Sequence, residues 1–277
     1  MSLLDTPLWE VIQSSLSAKV WSGLIEAIGD TLYMTVISSL IMLVFGLVGG
    51  IILAIMCPDG LIPVRGTYTV LGWVINVFRS LPQMVMIIIM IPVARLFFGK
   101  SYGTNACIIA IAASCIPMYA RIVESSLLEI GKGKIEAARS LGSTNFQIIT
   151  RILIPETLPS LLRGFTVAVI GVISMTALAG MFGAGGIGDI AVRFGYQRFQ
   201  HDVLLACIYI LVILVQGTQW VGSFLSNRIL RKRCLLASAD GGDRKKKRKK
   251  QVVVENQNII KDNTEEKKVF VKKEAIL

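Results

Sequence analysis

Between Thr31 and Cys57 the sequence runs for 27 residues without a charge, through TLYMTVISSLIMLVFGLVGGIILAIMC. A helix needs about 20 apolar residues to cross the hydrocarbon core of a bilayer, so this run is long enough to span one. Four further apolar runs follow, at about 68–94 (interrupted by Arg79), 101–120, 164–188 and 203–227. They are continuous rather than alternating, which argues against the strands of a membrane barrel. In lipid every backbone N–H and C=O must find its partner within the chain, and helices do this segment by segment. The composition agrees. Hydrophobic residues make up 53% and charged residues 17%, against about 45–50% and about 25% in soluble domains. The expectation is an all-α integral membrane protein with about five transmembrane helices.

The net charge of +11 is unevenly placed. Residues 1–227 carry 13 Lys and Arg against 11 Asp and Glu, and residues 228–277 carry 16 against 7. Three segments are therefore expected: an amphipathic lead-in over 1–30, a membrane body over 31–227 and a basic, disordered tail over 228–277. Asp5 and Glu10 stand where a secretory signal would be basic, so the start does not read as one. The connection between the third and fourth runs holds Arg121, Lys132, Lys134, Arg139, Arg151 and Arg163, and the tail opens RILRKR. Positive charge concentrates on the cytoplasmic side of membrane proteins. This places both segments inside, with the C-terminus cytoplasmic and the N-terminus outside. The stretch DRKKKRKKQ at 243–251 holds seven cations. It suits an anionic lipid surface, at about 1 kcal/mol per cation, better than nucleic acid.

Residues 183–188 read GAGGIG, so Gly183, Gly185 and Gly188 spell G-x-G-x-x-G. A dinucleotide site needs a strand before that pattern, within a βαβ unit. Here the preceding residues 164–182 are an uncharged apolar run. Gly183, Gly185, Gly186 and Gly188 are instead expected to be helix-packing glycines at the end of a span, where small residues allow close approach. GKS at 99–101 lacks the glycine that a P-loop requires five residues earlier, since that position is Ala94. If ATP drives this protein, another polypeptide must bind it. The five cysteines contain no C-x-x-C and His201 is the only histidine, so neither a metal nor a cofactor is expected. Arg79 is an ionisable group inside an apolar run, which makes it a candidate pathway residue by default; Pro82 breaks the helix nearby.

The long charged connection carries the most specific signal, GKIEAARSLGSTNFQIITRILIPETLPSLLRG. A first short helix is expected over 135–141 and stopped by Gly142. A second should open at Thr144, with Gln147 completing a capping box. Phe146, Ile148, Ile149, Ile152 and Leu153 give it an apolar face, and Pro155 and Pro159 should end it. Such a projection suits helix-in-groove docking or a place on lipid headgroups. EAARSLG followed by ILIPETLP resembles the EAA motif of ABC-importer permease subunits, with Glu136, Ala137, Ala138, Gly142, Ile154 and Pro155 matching position by position.

INVFRSLPQMVMIIIMIPVARLFFG, ARIVESSLLEIGKGKIEAARSLG and GMFGAGGIGDIAVRFGYQRF together resemble permease subunits of methionine importers, over roughly residues 25–230. The resemblance implies a type I ABC importer permease fold with a cytoplasmic coupling-helix loop. It implies a subunit that is no enzyme itself, placed in a bacterial cytoplasmic membrane. It further implies a second copy of the chain, two ATP-binding cassette ATPase subunits docked on the EAA residues, and an extracytoplasmic methionine-binding lipoprotein. The substrate implied is L-methionine, with D-methionine a further candidate. A permease for another amino acid and a stand-alone secondary transporter are the alternatives.

Overall fold

The computed structural model describes residues 13–15, 17–99 and 103–231. The expected tail beyond Arg231, with its cationic stretch, and residues 1–12 of the expected lead-in lie outside the described residues. The chain divides into two units, residues 1–226 and 227–277. Of the second, residues 227–231 are described and are helical.

Among the described residues all regular structure is helical. Helix α1 (Ala18–Met56) contains the first apolar run and begins well before it, so residues 18–30 are part of one 39-residue helix rather than a separate lead-in. A folded-back turn leads to α2 (Arg65–Ser80) and α3 (Gln83–Phe98). Helix α4 (Thr104–Leu128) is followed by α5 (Lys132–Ser140) and by α6 (Asn145–Ile148). A π-turn over Ile149–Leu153 joins α6 to α7 (Ile154–Gly180). The short α8 (Gly186–Ile190) runs through a second π-turn (Ala191–Tyr196), and α9 (His201–Arg231) closes the described chain.

Four helical segments are long and apolar enough to cross a membrane, and a fifth candidate is the pair α2–α3, bent by 109° between Ser80 and Gln83. Pro82 forces that break, because proline lacks the N–H that would continue the α2 ladder. Arg79 consequently lies in the last turn of α2, exposed, rather than in mid-helix.

Helix α4 is the centre of the bundle. Its membrane window is 61% buried within the chain, against 17% for α9, so α9 offers most of its surface to its surroundings. Close backbone approach explains the packing of α4. A Cβ on Gly50 would lie 2.5 Å from the Ala120 carbonyl oxygen and 2.5 Å from Val123 Cβ. In lipid, where apolar burial does not drive helix association, such contacts together with interhelical hydrogen bonds hold a bundle. Ser38 Oγ donates to the Ile108 carbonyl (3.3 Å), and Ser126 and Ser160 bond through their hydroxyls (3.1 Å). Between α7 and α9, Arg163 Nε donates to Ser226 Oγ (3.1 Å), which in turn donates to the Pro159 carbonyl (3.0 Å). Cys57, Cys107, Cys115 and Cys207 are free and buried, acting as small apolar side chains.

Candidate functional site

The α4–α7 connection folds into a compact knuckle. Its sharpest feature is the end of α5. The Gly142 N–H donates to the Arg139 carbonyl (2.9 Å) and the Ser143 N–H to the Ala138 carbonyl (3.1 Å), a Schellman closure. That closure needs a left-handed residue, and Gly142 sits at φ +77°. Two residues on, Thr144 Oγ1 accepts from the Gln147 N–H (3.3 Å), and Gln147 Oε1 accepts from the Thr144 N–H (3.0 Å). This capping box starts the next helix at once.

The second helix does not stop at its prolines. It continues from Asn145 to Gly180 as one 36-residue segment. The π-turn over Ile149–Leu153 widens the helix just before Pro155, which then sits in the first turn of α7 where its missing N–H costs least. Thr157 Oγ1 adds a bond to the Leu153 carbonyl (2.8 Å). The expected redirection at Pro155 and Pro159 is therefore replaced by a helical continuation into the bundle.

Burial sorts the knuckle into a root and a crown. Ala138, Ile148 and Leu153 are buried in the main core, and Ile135, Ile149 and Ile152 pack on it. Ala138 therefore faces inward rather than belonging to an outer small-residue surface, whereas Glu136, Ala137, Gly142 and Pro155 are exposed and Ile154 is partly buried. At the crown Leu141 is 86% exposed and Phe146 73% exposed, one on each side of the Gly142 turn. Two large apolar side chains held in the open by a doubly capped turn form a ready anchor for a groove.

Three polar links tie the root to neighbouring elements. Lys132 Nζ pairs with Asp59 (2.6 Å), Lys134 Nζ pairs with Glu156 (2.5 Å), and Arg139 Nη2 donates to the Leu61 carbonyl (2.8 Å). The hydrogen bond and charge of Lys132 hold the Asp59 carboxyl below the usual carboxylate range, and Asp59 in turn holds the Lys132 ammonium above its usual value. A cavity of about 160 Å³, lined by Ala54, Cys57, Leu61, Leu127, Ile135 and Leu153 among others, lies between the knuckle and the α1–α2 turn.

The glycine segment builds the opposite end of α7. Helix α7 ends at Gly180, and Gly183, Gly185 and Gly186 take φ of 78°, 77° and 80° as the chain reverses. Helix α8 then lies directly on α7, so that a Cβ on Gly188 would stand 2.2 Å from the Ala177 carbonyl oxygen. The Ile187 N–H, which would face a phosphate in a dinucleotide fold, donates to Thr31 Oγ1 (2.9 Å).

A polar cluster that the sequence reading did not single out lies between α2 and α4. Arg121 bonds Glu124 (2.7 Å), the Gly72 carbonyl (2.9 Å) and Asn76 Oδ1 (3.1 Å), while Tyr68 donates to Glu124 (3.0 Å). The available signals were R-x-x-E inside an apolar helix and Tyr68, Gly72 and Asn76 at a spacing of four.

Comparison with known proteins joins these features. The profile of the family "Binding-protein-dependent transport system inner membrane component" matches residues 46–231. The chain belongs to that family. Membership makes it a membrane component of a transport system, and the knuckle lies inside the matched region. Among relatives, a probable D-methionine transport system permease protein, MetI, of Vibrio cholerae is 37% identical over 206 residues, covering 74% of this chain and 92% of the relative. A methionine import system permease protein, MetP, of Bacillus subtilis is 38% identical over 169 residues, covering 61% and 76%. A chain of the MetNI methionine ABC transporter, solved in inward-facing conformations, superposes with a TM-score of 0.75. It is 34% identical and covers 77% of this chain and 99% of its own length.

Proposed function

We propose that the chain is the permease subunit of an ATP-driven importer that carries methionine across a bacterial cytoplasmic membrane. The observation that carries this reading is the match to the MetNI chain across 99% of that chain at 34% identity. The methionine names of the relatives support it.

In this reading two copies of the chain enclose a pathway, and an extracytoplasmic methionine-binding protein delivers solute to the end formed by the glycine segment. ATP is hydrolysed by separate ATPase subunits seated on the crown of the knuckle. Leu141 and Phe146 anchor the docking, Glu136 and Ala137 face the partner, and Gly142 fixes the turn between the anchors. Ala138 acts from the root, and Ile154 and Pro155 open α7, joining the docking surface to the bundle so that a push on the crown is passed to α7. The segment from Asn145 to Gly180 suits that task, because it joins the docking surface to the bundle without a loop between them. The C-terminus is cytoplasmic with the knuckle, the N-terminus is outside, and the basic tail lies against anionic lipid. Arg79, at the α2–α3 break, lines the pathway.

The test is reconstitution of the chain with its ATPase and binding protein in vesicles, followed by uptake of radiolabelled methionine. ATP-dependent, saturable accumulation is expected. Uphill accumulation by the chain alone would overturn the reading, as would failure with methionine where another amino acid accumulates.

A further inference from the structure

On helix α2 the large apolar side chains Val70, Trp73 and Val77 are exposed, while Leu71 and Ile75 pack against Leu53 and Ala120. Beside that apolar contact Tyr68, Gly72 and Asn76, four residues apart, bond polar groups of α4. What they meet there is an ion pair within a membrane helix. The Glu124 side chain is only 5% exposed and is held by Arg121 and Tyr68 together. Charged groups at such a place are costly and persist where they are paired and used. The cluster is not closed to perfection either, since Arg121 Nε is buried without a partner.

The same helix starts where the knuckle takes hold of the chain. Lys132 and Arg139 grip Asp59 and the Leu61 carbonyl in the turn that leads into Arg65, the first residue of α2. At its other end α2 meets the 109° break before Gln83, after which α3 packs on α4 and α7. Helix α2 is thus linked to the knuckle at its base, bonded to α4 along its inner face and ended by a sharp break at its tip.

We propose that Arg121 and Glu124 are positioning residues of the transport cycle. Their clamp makes α2 a rigid lever that carries displacement of the knuckle to the break between Ser80 and Gln83. Without the clamp, α2 slides on α4 and the displacement is lost before it reaches α3. The proposal rests on the docking role given to the knuckle above, but not on the identity of the solute.

The experiment uses the complete complex of permease, ATPase subunits and binding protein in vesicles. Spin labels are placed at two exposed positions, Trp73 on α2 and Arg151 on the knuckle. ATP is added without any solute. In the otherwise unmodified complex both labels are expected to shift. In Glu124→Gln the Arg151 label still shifts, while the Trp73 shift falls at least threefold and solute moved per ATP falls at least fivefold, with basal ATP hydrolysis within twofold. Tyr68→Phe, which removes one hydroxyl and keeps the ion pair, guards against misfolding and should show a smaller loss of the same kind. An unchanged Trp73 shift in Glu124→Gln overturns the proposal, as does a Trp73 label that never moves in the parent complex. Parallel loss of assembly and basal hydrolysis in Tyr68→Phe also overturns it, because that is the mark of a purely structural clamp. Normal label shifts with no methionine uptake would instead reject the methionine reading and leave the lever standing.

Discussion

Replacing Gly142 by alanine isolates a single physical quantity. A Cβ at this position has no heavy atom within 4 Å, so the substitution causes no collision. What remains is the backbone. At φ +77° an L-residue sits in the left-handed region, which costs about 1–2 kcal/mol relative to glycine. That strain falls on the Schellman closure, whose donors are the Gly142 and Ser143 N–H groups, with the Leu141 N–H bonded to the Ala137 carbonyl beside them (3.3 Å). If the closure opens locally, about 1–2 kcal/mol corresponds to roughly 5- to 30-fold more opening. Hydrogen exchange on the purified protein in detergent reads this directly. The amides of residues 141–143 should exchange roughly 5- to 30-fold faster in Gly142→Ala. Amides in the centre of α4 should be unaffected, because the bundle does not depend on the turn. Gly142→Asn should fall between the two, since asparagine tolerates the left-handed region better than alanine. Equal exchange in all three proteins would refute the claim that the left-handed requirement fixes the knuckle.

The other expectations concern separate contacts. Gly188→Ala places a methyl against the Ala177 backbone at 2.2 Å and should lower stability in detergent melts by about 1–3 kcal/mol. Gly171→Ala, in the same bundle but with nothing within 4 Å, should be neutral or stabilising by about 0.5–1 kcal/mol; a loss at both positions equally would reject the close-packing argument. Leu141→Ser combined with Phe146→Ser should leave the melting temperature of the isolated chain unchanged, since both side chains are exposed. It should weaken ATPase docking by tenfold or more, the scale expected when about 1.5–3 kcal/mol of burial per side chain is lost. The Asp59–Lys132 pair gives a pH and salt signature. Asp59 titrates below its ordinary range, so its contribution is present above about pH 4 and is lost as acid reaches the lowered value. Lys132 titrates above its ordinary range, so its contribution is present below about pH 10 and is lost as pH rises through the raised value. Any effect of Lys132→Gln on knuckle exchange should therefore be flat from pH 5 to 9 and vanish in molar salt; a change near neutral pH would contradict this assignment.

Local rules reached far into this protein. Uninterrupted apolar runs named a bilayer solvent and hence helices, because lipid offers no partner to an unpaired backbone. Around the knuckle, Gly142 as a stop and Thr144 with Gln147 as a start could be read from letters alone, since caps involve neighbours three or four residues apart. The prolines misled. Pro82 breaks its helix, whereas Pro155 and Pro159 do not, and Pro92 and Pro117 also lie within continuous helices, so a proline letter alone does not mark a break. Only the packed chain decides which apolar residue of an amphipathic loop is root and which is crown. Ile148 is buried and Phe146 exposed, two positions apart, because the bundle lies on one side of both. The clamp is further from local reasoning still. Arg121 meets Gly72 and Asn76 across 49 and 45 residues of chain. The sequence supplies each of those groups, but their distance from one another is set by where α2 comes to rest on α4.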